Sequence, residues 1–169
     1  MPDILSARLG PYRRRGLLLD SNLLLLYVVG ISDRRLIRSF KRTQAFTDAD
    51  FRLLVGLMSA FDVLVTTPHV LTEVNGLMNA LKGAHKPRVR TRMSLAALEW
   101  DERHVPARDL VGAAAFLGFG LTDAALAALS QSEDGPLVMS TDGALVQFIS
   151  RSGGVADHFE VYQHLHAQR

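Results

Sequence analysis

A chain of 169 residues, 48% hydrophobic and 21% charged, can build one globular domain with its own core and is unlike a disordered or fibrous protein. There is no cysteine, which excludes disulfides, thiolate zinc sites and thiol nucleophiles. The net charge of +2 conceals an asymmetry: residues 1–92 hold 15 Lys/Arg against 7 Asp/Glu, and residues 93–169 hold 4 against 10.

Arg13, Arg14 and Arg15 precede an apolar stretch, as in a signal peptide, but Asp20, Ser21 and Asn22 interrupt it. An Asp near the centre of a membrane helix costs about 2.5–3.5 kcal/mol. Only SDRR follows, with no small-residue cleavage site. A soluble, cytoplasmic protein with no membrane contact is expected, with secretion as the alternative.

Residues 16–20 read as a short strand, apolar throughout as when both faces are covered. A helix over 22–30 and a basic helix around 33–41 follow. The stretch 46–61 reads as another helix, with Thr47 or Asp48 as N-cap. Residues 62–66 form a second strand, and Thr67-Pro68 starts a helix, proline suiting its first position. In that helix Val70, Leu71, Val74, Leu77, Met78 and Leu81 make an apolar stripe, with Glu73 beside it.

Next come a helix over about 88–100, a short strand at 103–105 and a helix over 107–117, broken by Gly118-Phe119-Gly120. Residues 121–129 are apolar nearly all round and predict a buried helix. A strand at 136–140, a helix at 143–151, a Gly153-Gly154 turn and an edge strand at 155–159 complete the chain. This alternation predicts a single α/β domain over residues 1–169, a three-layer α/β/α sandwich with a mainly parallel central sheet.

In a parallel sheet the strand C-termini and the helix starts beside them share one edge. Asp20 follows the first strand, Glu73 lies early in the helix after the second, Asp123 opens the buried helix and Asp142 follows PLVMST. Each alone has a structural explanation: Asp20 and Asp142 as N-caps, Asp123 as a first-turn acid favoured by the helix dipole, Glu73 as a solvated helix residue. Together they are harder to explain so, because LLLDSNLLLL and GLTDAALAAL set two of them in segments built for burial. An ionised carboxylate there needs a counter-charge, and a divalent cation with oxygen ligands is the natural candidate.

The ordered set Leu19-Asp20-Ser21-Asn22, Thr67 through Glu73, Thr122-Asp123-Ala124 and Ser140-Thr141-Asp142 resembles PIN-domain ribonucleases, the group that includes VapC-type toxins. The match covers nearly the whole chain. Ser21 stands where that family commonly has Thr, and residues 31–60 are longer than in its smallest toxins. The resemblance implies a metal-dependent endoribonuclease in which Asp20, Glu73, Asp123 and Asp142 hold one or two Mg²⁺ or Mn²⁺ ions. Cleavage would leave a 5′-phosphate and a 3′-hydroxyl. Ser21, Asn22 and Thr141 would orient carboxylates or contact phosphate, their alternative being turn and cap chemistry. The implied partners are an RNA substrate, a second copy of the chain in a homodimer and, in a toxin–antitoxin pair, an antitoxin protein.

Two other enzyme readings lack their residues. A haloacid dehalogenase-like phosphatase needs a second Asp where Asn22 stands, and a response-regulator receiver needs adjacent acids at its first strand. A structure-specific DNA nuclease of the same fold and a non-catalytic RNA-binding module remain as alternatives. Basic clusters at Arg13 to Arg15, at Arg34, Arg35, Arg38, Lys41 and Arg42, and at Lys82, Lys86, Arg88, Arg90 and Arg92 suit a polyanion or are solvated helix faces. His158, His164 and His166 lack metal-ligand spacing and are expected to be solvated. His69, one turn before Glu73, is expected at the surface.

Overall fold

The computed structural model describes residues 7–167. Leu17, Leu18 and Leu19 form β1 (Leu17–Leu19), and all three are buried, so both faces of this strand are covered. Around it β2 (Leu64–Thr66), β3 (Asp101–Glu102), β4 (Leu137–Ser140) and β5 (Ala156–His158) complete one sheet in the order β3-β2-β1-β4-β5. Every neighbouring pair is parallel; Leu18 lies between Val65 and Val138. Helices flank the sheet in a three-layer α/β/α sandwich.

These helices are α1 (Ser21–Ser32), α2 (Arg34–Ser39), α3 (Asp48–Met58), α4 (Pro68–Leu77), α5 (His85–Ala97), α6 (Ala107–Leu110), α7 (Ala114–Phe119), α8 (Leu121–Ser130), α9 (Gly143–Arg151) and α10 (Phe159–Ala167). Short polar caps set their starts. Thr47 forms a reciprocal capping box with Asp50 at α3, and Thr67 accepts from the Val70 N–H at α4, with Pro68 at the first position. The leucine-rich α1 packs against α3 at Gly30, where a Cβ would lie 2.2 Å from the Phe51 ring. Only glycine lets the two helices approach so closely.

Four elements differ from the sequence reading. The third strand lies at Asp101–Glu102 rather than 103–105, although the Arg103 N–H still donates to the Thr66 carbonyl at 2.9 Å. It is an exposed edge of two acidic residues, and charge on a short edge strand defeats any search for apolar runs. The helix expected over 107–117 divides into α6 and α7, with Gly112 in the break. Helix α5 begins at His85, earlier than expected, because Pro87 falls within the first turn, where no N–H partner is needed.

The fourth difference is α10, which has no counterpart in the reading. It buries Phe159 and Tyr162 completely. The Tyr162 hydroxyl donates to Asp157 Oδ2, and Arg8 donates to both oxygens of the same carboxylate, with Arg8 Nε at 2.8 Å. Burial and the adjoining carboxylate push the Tyr162 phenol well above its ordinary value. This triad ties the segment before β1 to β5 and α10. Among the described residues no helix is long and apolar enough to cross a membrane.

Candidate functional site

From β1 the chain runs outward through β2 to β3 and returns to β4 on the other side of β1. The C-terminal ends of β1 and β4 therefore flank the point where strand order reverses, the usual crevice for ligands in open parallel sheets. Asp20 directly follows β1, and Thr141 and Asp142 follow β4.

Asp20 is buried and does two things. It caps α1, its Oδ1 accepting from the Leu23 N–H at 2.8 Å. Its Oδ2 accepts from the Ser140 hydroxyl at 2.6 Å and from the Thr141 N–H at 2.9 Å, with the Thr141 hydroxyl at 3.4 Å. Burial nevertheless pushes its carboxyl above the ordinary value, against the pull of these donors. Asp142 caps α9: its Oδ1 accepts from the Ala144 and Leu145 N–H groups at 2.8 and 3.1 Å, and no donor among the described residues reaches its Oδ2. The cap explanation thus holds for both acids, and each cap uses only part of its carboxylate.

Glu73 lies on α4, exposed, and its Oε2 accepts from the Ser21 hydroxyl at 3.0 Å. Ser21 thereby links the start of α1 to α4. Asp123 sits in the first turn of α8, which follows Gly120 at φ +90°, a conformation that favours glycine. No protein donor among the described residues reaches Asp123. Its carboxyl is pushed up from 3.8 to about 7, first by burial and then by the charges of Glu73, Asp20 and Asp142. Asp123 therefore feels the charges of three acids from other elements at one edge of the sheet.

As placed, no three Asp, Glu or His groups among the described residues stand close enough together to hold a metal ion. The donor chemistry suits a hard cation. Asp123, Asp142 Oδ2 and Glu73 Oε1 have no protein donor among the described residues, and all are carboxylate oxygens, as Mg²⁺ and Mn²⁺ prefer.

Of the three residues expected beside the acids, Ser21 and Thr141 touch them and Asn22 does not. Asn22 is exposed and makes no side-chain hydrogen bond among the described residues. Ser140, quoted in the sequence motif but given no role there, is central: its hydroxyl donates to Asp20 and accepts from the Asp142 N–H at 2.9 Å. A serine two residues before an acid is the signal that marks such a turn.

His158 also departs from expectation. It is half-buried, with Nε2 2.9 Å from the Thr141 carbonyl, because it ends β5 in register with Ser140. His69 is half-buried as well, its Nδ1 shut away from solvent without a partner. His164 and His166 are exposed. A scan against protein-family models gives no match, and a search of the curated proteins gives none either.

Proposed function

We propose that this chain is a metal-dependent endoribonuclease of the PIN type, hydrolysing RNA phosphodiester bonds at the edge formed by Asp20, Glu73, Asp123 and Asp142. The observation that carries this reading is Asp123. Its carboxyl is raised to about 7 by burial and by the three other acids, an unfavourable arrangement that a bound cation relieves. A Mg²⁺ or Mn²⁺ ion held by these four carboxylates supplies charge neutralisation at the phosphate and a lowered pKa for the attacking water.

The chain's own groups do the rest. Ser140 and Thr141 hold Asp20 in one orientation, the α9 N–H groups hold Asp142, and Ser21 holds Glu73. To hold such a cation Asp123 would have to be without its proton. The exposed basic residues of α2 and α5 attract the RNA backbone. A cytoplasmic location goes with an RNA substrate, and an antitoxin and a homodimer go with the toxin-like form of the reading.

The test is incubation with total RNA, single-stranded DNA and double-stranded DNA, each with Mg²⁺, Mn²⁺ or EDTA. RNA cleavage with either metal and none in EDTA is expected. Cleavage of DNA alone would move the assignment to a DNA nuclease, and no cleavage of any substrate would leave a binding module.

A further inference from the structure

Thr141 is the hinge of the acid centre, since its N–H donates to Asp20 Oδ2 and its carbonyl leads into Asp142, the cap of α9. That carbonyl faces His158 Nε2 at 2.9 Å. A carbonyl only accepts, so Nε2 carries the hydrogen and the imidazole donates. On the other side of the ring Nδ1 lies 3.7 Å from the Glu160 carboxylate. The ring also fills the space over Gly143, where a Cβ would meet it at 3.8 Å.

His158 reaches this place through sheet register: it is the last residue of β5 and pairs with Ser140, the last residue of β4. One acceptor and one donor therefore hold one short loop. Ser140 Oγ holds the Asp142 N–H from inside, and His158 holds the Thr141 carbonyl from the edge of the sheet. The loop carries one metal-facing carboxylate and orients another.

We infer that His158 is a positioning residue for the acid centre: by donating from Nε2 to the Thr141 carbonyl it fixes the peptide that orients Asp20 and sets Asp142 opposite it. This rests on the metal-dependent reading above. Outer hydrogen-bond partners of this kind typically govern metal affinity by about 10- to 100-fold. A glutamine side chain can place an amide N–H near the Nε2 position, whereas alanine cannot.

The experiment is a Mn²⁺ titration followed by the loss of the free-ion electron paramagnetic resonance signal, for wild type, His158→Ala and His158→Gln, with melting curves in EDTA alongside. Mn²⁺ affinity is expected to fall about tenfold in His158→Ala and to recover largely in His158→Gln, at similar melting temperatures. Amide hydrogen exchange at Thr141, read without metal, should quicken in His158→Ala and not in His158→Gln. Unchanged affinity and exchange in His158→Ala overturn the inference, as does a glutamine variant no better than alanine. Wild-type protein that binds no Mn²⁺ overturns the metal reading itself, whereas wild-type binding that survives in His158→Ala overturns only the role of His158.

Discussion

The Ser140 hydroxyl donates to Asp20 Oδ2 at 2.6 Å, joining residues 120 apart in the chain across the ends of two adjacent parallel strands. Through this bond and the Thr141 N–H, the end of β4 dictates where the carboxylate after β1 points. Asp20 cannot turn without losing either these donors or the Leu23 N–H that it caps.

Asp20→Asn is therefore a sharp probe. With its oxygen toward Ser140 and Thr141, the amide sets its NH₂ against the Leu23 N–H; flipped, it opposes the other two donors. At least one unmet donor remains either way, and one negative charge is lost. Metal-dependent RNA cleavage should fall by more than the roughly 10- to 100-fold that loss of an outer partner costs. Circular dichroism should be unchanged; full activity in the variant would remove Asp20 from the site.

Asp123→Asn should make the protein more stable in chelator, in a pH-dependent way. The folded-state carboxyl titrates near 7 against 3.8 for the ordinary group, so between these values the native protein holds a proton that the unfolded chain has released. Stability then falls as pH rises through this window and stays low above about 7. Because Asp123 is only half-buried, solvent screening reduces the gain on neutralising it to about 1–2 kcal/mol. Melting in EDTA should rise by a few degrees at pH 8 and hardly at all at pH 4.

The same proton predicts how metal affinity depends on pH. Below about pH 7 a cation must displace it, so affinity should fall by about tenfold per unit of pH and level off above 7. Calorimetric Mn²⁺ titrations from pH 5.5 to 8 measure this, and a flat profile would contradict a ligand role for Asp123.

Tyr162→Phe separates stability from function. It removes one donor from the buried Asp157 carboxylate and leaves Arg8 as the other partner. A hydrogen bond to a charged group is worth about 1.5–3 kcal/mol, so the melting temperature should drop by several degrees. Mn²⁺ affinity should not change, because this triad touches none of the four acids.

Arg88 and Arg92 on α5 are exposed and in no ion pair among the described residues. If α5 contacts RNA, replacing both by alanine should weaken binding and flatten its salt dependence by roughly 0.7 log units per lost phosphate contact. Filter binding between low and moderate salt reads this slope.

Legibility in the sequence followed physical cause. The buried strands β1 and β4 and the capped helices α3, α4 and α9 were readable because apolar runs and Thr or Asp caps are local signals. The acids were legible through their order and the burial pattern around Asp20 and Asp123. What escaped depends on contacts between distant segments. The roles of Ser140, whose motif was legible, and of His158 come from strand register, that of Asp157 from its pairing with Arg8 and Tyr162, and β3 is an edge of two charged residues. Asn22 shows the converse: a polar residue inside a suggestive motif whose helical position leaves it exposed, away from the acids it accompanies.

The most direct test of the acid centre is cleavage of 5′-labelled single-stranded RNA at pH 8 by wild type and Asp123→Asn, each with Mn²⁺ or with EDTA. The account predicts labelled fragments ending in a 3′-hydroxyl for wild type with Mn²⁺ only. Cleavage that persists in EDTA, or in Asp123→Asn at the wild-type rate, would contradict it.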